Sequence, residues 1–79
     1  MLENEELQAI QEMDFETAFE ALQENVKELE GEGLSLEESL KRYQRGQALA
    51  RHCAELLERA ELQVRTLAMD ATQPIETEE

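Results

Sequence analysis

The sequence predicts an all-α fold: an antiparallel helical hairpin with a short first helix and a long second helix, packed into a larger bundle by oligomerisation. Three observations lead there. Apolar residues recur at alternating steps of four and three through two stretches of the chain, the spacing of a helix with one apolar face. A glycine-containing break and a helix-start signature separate the two stretches. Finally, the chain has 79 residues and a single cysteine, Cys53. One small domain of this size, with no internal disulfide available, needs burial against something else to be comfortably stable.

Residues 1–13 form an acidic N-terminal arm. Leu2, Leu7, Ile10 and Met13 stand there among acids and glutamines, out of phase with the apolar spacing that begins at Phe15. The arm is expected to be frayed or weakly helical. The hairpin occupies 14–69, with helices at about 14–30 and 35–69. Asp14 is the expected N-cap of the first helix, since its carboxylate can accept the unpaired amides of the first turn. From there Phe15, Phe19, Leu22, Val26 and Leu29 make a heptad seam flanked by Ala18, and Glu16, Glu20, Glu24 and Glu28 line another face. Gly31 and Gly33 are expected to end this helix, because glycine enters the left-handed region without a Cβ clash. Ser35-Leu36-Glu37-Glu38 then reads as a capping box, with Ser35 capping and Glu38 reaching back to its amide. So short a connection implies antiparallel neighbours.

The seam of the second helix is Leu36, Leu40, Tyr43, Gly46 or Gln47, Ala50, Cys53, Leu57, Ala60, Val64 and Leu67, widened by Leu49 and Leu56. At ~1.5 Å per residue the first helix spans roughly 24 Å and the second roughly 50 Å. The first cannot cover the second. The uncovered part carries an apolar stripe that has to meet the arm, a second copy or another protein. Gly46, Cys53, Leu56, Leu57, Ala60, Val64 and Leu67 are therefore the candidate partner-binding residues. Gly46 is included because a glycine inside a helix costs about 1 kcal/mol against alanine, and so is expected either to let another backbone come close or to mark a soft point in the helix. Residues 70–79, "DATQPIETEE", read as an acidic disordered tail.

Charge excludes one class of function. The net charge is −13, with eleven acids against one base, Lys27, in residues 1–32. Residues 33–68 hold five acids and six bases. Direct binding to a phosphate backbone calls for clustered Lys and Arg, so no direct nucleic-acid binding is expected. The six bases, Lys41, Arg42, Arg45, Arg51, Arg59 and Arg65, are expected to pair with acids of the first helix or of a second copy. No apolar run approaches the ~20 residues of a membrane span. The acidic N-terminus lacks the basic region of a signal peptide, and the lone thiol fits a reducing compartment; a cytoplasmic location is expected.

No catalytic, cofactor-binding or metal-binding residue is expected. His52, the one histidine, has Leu49 three residues before it, so the Glu-x-x-His pattern of a di-metal bundle is absent. Cys53 lies on the apolar seam with no activating neighbour and reads as a small core residue. Ser35 is accounted for as a cap, and Tyr43 as a boundary residue whose hydroxyl reaches water.

The stretch Phe15 to Leu67 resembles the small subunit of bacterial exodeoxyribonuclease VII. The residues that carry the resemblance are Phe15-Glu16, "LEGEGLSLEESL" from Leu29 to Leu40, "YQRG" from Tyr43 to Gly46, Cys53, and "AELQV" from Ala60 to Val64. Asn25 stands where that family usually has an apolar residue, and Phe19 where leucine is usual. The resemblance implies a non-catalytic subunit of an enzyme that degrades single-stranded DNA from either end and releases oligonucleotides. It also implies a large subunit that carries the DNA-binding and catalytic residues, with several small subunits bound to each. The alternative is a helical-hairpin adaptor or assembly module unrelated to DNA, which co-purification with a large nuclease subunit would separate.

Overall fold

The computed structural model describes the backbone of residues 2–78 and the side chains of residues 2–69. Three helices succeed one another: α1 (Asn4–Gln11), α2 (Phe15–Glu30) and α3 (Leu36–Glu78). No strand occurs among the described residues. α2 and α3 form the antiparallel hairpin, and α1 packs on α3 as well. The molecule is elongated, 65 Å along its longest axis and 15 Å along its shortest.

Local chemistry sets the helix ends. The Thr17 amide donates to Asp14 Oδ1 at 2.8 Å, so Asp14 caps α2. At the other end of α2 the Gly31 amide reaches the carbonyls of Lys27 and Glu28. Gly31 itself is extended (φ −71°, ψ 168°). The left-handed conformation expected of the glycine pair belongs to Gly33 alone, at φ +93°, where a side chain would be strained. Ser35 and Glu38 close the capping box in both directions. The Glu38 amide donates to Ser35 Oγ at 3.1 Å, and the Ser35 amide donates to Glu38 Oε1 at 3.4 Å.

The arm is better ordered than its sequence suggests. Leu7 and Ile10 lie three apart, on one face of the two-turn α1. Ile10 is buried in the surface formed with Ala48 and His52 of α3. Packing of that face, not intrinsic propensity, is what makes so short a helix persist.

The faces through which the hairpin packs also differ from expectation. The buried residues of α2 are Ala18 and Asn25, and those of α3 facing them include Leu49 and Cys53. The expected α2 seam is rotated to the flank, with Phe15, Phe19 and Val26 36 to 44% exposed. On α3, Leu36, Leu40 and Tyr43 are more than half exposed. Small residues explain the rotation. Ala18 and Gly46 let the two helices approach closely, and Asn25 can enter because its amide finds a backbone acceptor on α3. Larger side chains at those positions would hold the helices apart.

The expected length mismatch is present. Beyond the reach of α2, Leu57, Leu62, Val64, Leu67 and Met69 are all more than half exposed. The backbone of α3 is helical to Glu78, past the expected end at 69. The side chains of that segment, on which the acidic-tail expectation bears, lie outside the described residues. Among the described residues no helix is long and apolar enough to cross a membrane.

Candidate partner-docking surface

Asn25 organises the hairpin contact. It is 3% exposed, and its Nδ2 donates to the Arg42 carbonyl at 2.9 Å. In an α-helix that carbonyl also accepts from the amide four residues on, which is Gly46. A Cβ built on Gly46 would run into Asn25 Oδ1 and stand 3.3 Å from its Cγ. Gly46 is therefore a seat for the Asn25 carboxamide. Asn25 Oδ1 and Arg42 Nε are enclosed without a hydrogen-bond partner. Arg42 in turn pairs with Glu28, Nη1 to Oε1 at 2.7 Å. Of the six bases of α3, Arg42 is the one that forms an ion pair among the described residues, in a half-exposed position where such a pair contributes little.

His52 joins the remaining parts. It is 8% exposed, and its Nε2 donates to the Met13 carbonyl at 2.9 Å. That bond fixes the link between α1 and α2 against α3. Cys53, its neighbour, is buried and free, and burial pushes its thiol pKa up. A thiol held protonated in an apolar contact is a poor nucleophile. Among the described residues no three of His, Cys, Asp and Glu come together as a metal-holding set.

The apolar surface left over is large and ordered. Successive residues of an α-helix are turned by about 100°. The residue after an inward-facing one therefore lies on the flank, and in an antiparallel pair these flanks fall on the same side. Asn25 and Ala18 face inward, so Val26 and Phe19 flank them. Arg42, Leu49, Cys53 and Leu56 face α2, so Tyr43, Ala50, Ala54 and Leu57 lie on the matching flank of α3. The residues preceding Leu49, Cys53 and Leu56, namely Ala48, His52 and Glu55, border α1 together with Arg51. One flank of the hairpin is thus occupied by α1. The other presents two apolar rows. Phe15 and Phe19 stack there with centroids 5.6 Å apart. Tyr43 accepts from Gln47 Nε2 at 3.2 Å through its hydroxyl, its ring more than half exposed.

The residues expected to bind a partner divide between inside and outside. Gly46 and Cys53 face α2, and Leu56 is half-buried. Leu57, Ala60, Val64 and Leu67 are exposed on the overhang of α3. Sequence reasoning missed Phe15, Phe19, Val26, Leu36 and Leu40 as surface residues, whereas Tyr43 was expected at a boundary and is more than half exposed. Their spacing was visible, but a heptad seam does not say which helix it meets. The signal that could have separated the two faces is the line of small residues, Ala18 and Gly46, marking the closer contact.

Known proteins share this architecture's sequence. Residues 15–66 match the family model described as exonuclease VII small subunit. A relative from Symbiobacterium thermophilum is 49% identical over 57 residues, 72% of this chain and 77% of its own. One from Rhodopseudomonas palustris is 46% identical over 70 residues, covering 87% and 84%. Another, from Stenotrophomonas maltophilia, is 48% identical over 60 residues, covering 76% and 69%. All three bear the name exodeoxyribonuclease 7 small subunit. No solved structure matches the chain. With the family model spanning the hairpin and relatives at this identity covering most of the chain, the protein belongs to the exonuclease VII small-subunit family.

Proposed function

We propose that the chain is the non-catalytic small subunit of a cytoplasmic exonuclease of the exodeoxyribonuclease VII type, which hydrolyses single-stranded DNA from either end to oligonucleotides. Its work is to support assembly and activity of the large catalytic subunit, with several small-subunit copies in each complex. The observation that carries this reading is the match over residues 15–66, the segment that forms α2 and the covered and overhanging parts of α3. Two physical features support it. The net charge of −13 is unsuited to holding DNA directly. The overhang carries Leu57, Val64 and Leu67, 54 to 68% exposed, and burying each such side chain against a partner is worth about 1.5–3 kcal/mol.

Reconstitution with the large subunit tests the proposal. Tagged small subunit should retain the large subunit in a pull-down, and intact-complex mass spectrometry should give more than one small copy per large one. Activity on single-stranded DNA should need both subunits and be absent from the small subunit alone. A chain that neither retains the large subunit nor alters its activity would instead be an adaptor unrelated to DNA.

A further inference from the structure

We infer that α2 has two faces able to pack on α3, and that Asn25, seated on Gly46, is the lock that decides which of them turns inward. The face in use is Ala18, Leu22, Asn25 and Leu29, all buried or half-buried. The other is Phe15, Phe19, Leu22, Val26 and Leu29. Both rows advance by alternating steps of four and three, the spacing of a helix packed along one seam. They share Leu22 and Leu29, and differ in offering Ala18 and Asn25 or Phe19 and Val26. Successive residues stand ~100° apart around the axis, so turning α2 by about half of that exchanges one row for the other.

Apolar burial alone selects the second row. Phe15, Phe19 and Val26 are 36 to 44% exposed, and a phenylalanine and a valine bury more apolar surface than an alanine and a carboxamide. The row in use therefore needs a specific contact to hold it, and such contacts converge on one turn of α3. Asn25 Nδ2 donates to the Arg42 carbonyl at 2.9 Å. Gly46, one turn on, leaves the space that the carboxamide fills, where a Cβ would run into Oδ1. Glu28, three residues after Asn25, takes the Arg42 guanidinium at 2.7 Å. α2 thus grips one residue of α3 by its carbonyl and by its side chain, and a turn of α2 would break both holds.

The grip is not saturated. Asn25 Oδ1 and Arg42 Nε are enclosed without a hydrogen-bond partner, and a partly satisfied buried network is less favourable than an apolar one. An apolar face held outward by a few polar bonds is the arrangement of an element with two discrete packings. The lock keeps the stacked Phe15 and Phe19 rings outside, and so determines which side chains of α2 the hairpin presents. It belongs to the free chain and stands apart from the large-subunit reading.

Thiol reactivity of the full chain tests the lock, with circular dichroism as the control for folding. Where Asn25 and Gly46 are kept, a maleimide should modify Val26→Cys readily and Ala18→Cys slowly, since Val26 is 44% exposed and Ala18 is fully buried. Cys53 is buried and should stay unmodified. Asn25→Lys puts a charge in a contact that cannot bury it unpaired, and Gly46→Leu fills the seat. Each should keep the chain helical, slow the labelling of Val26→Cys several-fold and speed that of Ala18→Cys several-fold. Opposite changes at the two positions mean a turn of α2, whereas mere loosening would speed both. Rates unchanged from the locked chain, or labelling that speeds up at both positions, would overturn the inference. So would loss of helicity in both lock variants, which would show that α2 has no second face to use.

Discussion

At Gly46 a methyl group would collide with the carboxamide of Asn25, a buried side chain bonded to the Arg42 carbonyl. Two effects compete when Gly46→Ala is made. Alanine favours the helix by about 1 kcal/mol, whereas displacing a buried amide from its partner costs about 1–3 kcal/mol. Because Asn25 is nearly inaccessible to water, the displaced carboxamide cannot be compensated there. Gly46→Ala is expected to lose up to about 2 kcal/mol net in a thermal or denaturant melt. Asn25→Ala removes the obstruction, so the double variant should be more stable than Gly46→Ala alone, with a coupling of about 1 kcal/mol or more. A Gly46→Ala chain more stable than its parent would show that the contact has no energetic weight. Asp14 gives a pH-dependent case. Its hydrogen bonds with Thr17, the backbone amide first and the side chain second, hold its carboxyl below the usual carboxylate range. A lowered folded-state pKa contributes stability above the unfolded value of about 3.9, and that stability is lost as pH falls through the folded pKa. Asp14→Asn keeps an N-cap acceptor and should remove this part of the acid dependence, whereas Asp14→Ala should lower the melting temperature at neutral pH. Melts between about pH 2 and 7, a range that brackets the ordinary carboxylate pKa, would read both.

Among the elements, the turn between α2 and α3 has the most local specification. The reciprocal Ser35–Glu38 bonds depend on residues within one helical turn, which is why the sequence alone placed them. Ser35→Ala should cost about 1 kcal/mol, the usual loss for an N-cap serine, and Ser35→Asp should recover most of it. The Asp14 cap and the length mismatch were legible for the same reason: both come from short-range spacing and the rise per residue. Helix rotation was not. Phe15, Phe19 and Val26 exceed Ala18 and Asn25 in apolar surface, so pattern reading turned them inward. Close packing across Ala18 and Gly46 turned them out. α1 was missed as a docked helix because its two anchors, Leu7 and Ile10, are too few to make a periodic signal. The burial of His52 was not legible, since its partner, the Met13 carbonyl, is a backbone group that no sequence pattern shows. α1 hangs on these few contacts, and Ile10→Ala is expected to release it. Truncating a buried isoleucine costs about 2–5 kcal/mol, more than two helical turns retain by themselves. The loss should appear as fast amide exchange confined to α1, with α2 and the covered half of α3 still protected. Equal acceleration in all three helices would mean that α1 is integral to the hairpin.

For the whole molecule, charge and apolar surface argue for different interactions, and mutation can separate them. Residues 1–32 have a net charge of −10, and α2 faces solvent with glutamates, so a polyanion meets repulsion over the hairpin's acidic side. Four bases of α3, Lys41, Arg42, Arg45 and Arg51, run without an intervening acid, but Arg42 is paired with Glu28 and Glu6 and Glu38 line the same surface as Lys41 and Arg45. With few phosphate contacts available there is little counterion release to drive association. The purified chain is therefore expected to show no binding to single-stranded oligonucleotides at physiological salt, measured by fluorescence anisotropy. Tight binding there would contradict the charge argument. The overhang presents the opposite case. Leu57 and Val64 are more than half exposed and lie beyond the reach of α2, so a charge at either position sits in water in the free chain. Leu57→Glu or Val64→Glu should thus leave the hairpin's melting temperature nearly unchanged. Within an assembly the same carboxylate would be enclosed by apolar neighbours with no partner, at a cost of several kcal/mol. Co-assembly with the large subunit should weaken by about two orders of magnitude or more, since each ~1.4 kcal/mol is tenfold, while α2, α3 and the Asn25 contact stay intact. If both variants co-assemble at the parent's affinity, the overhang is not the docking surface.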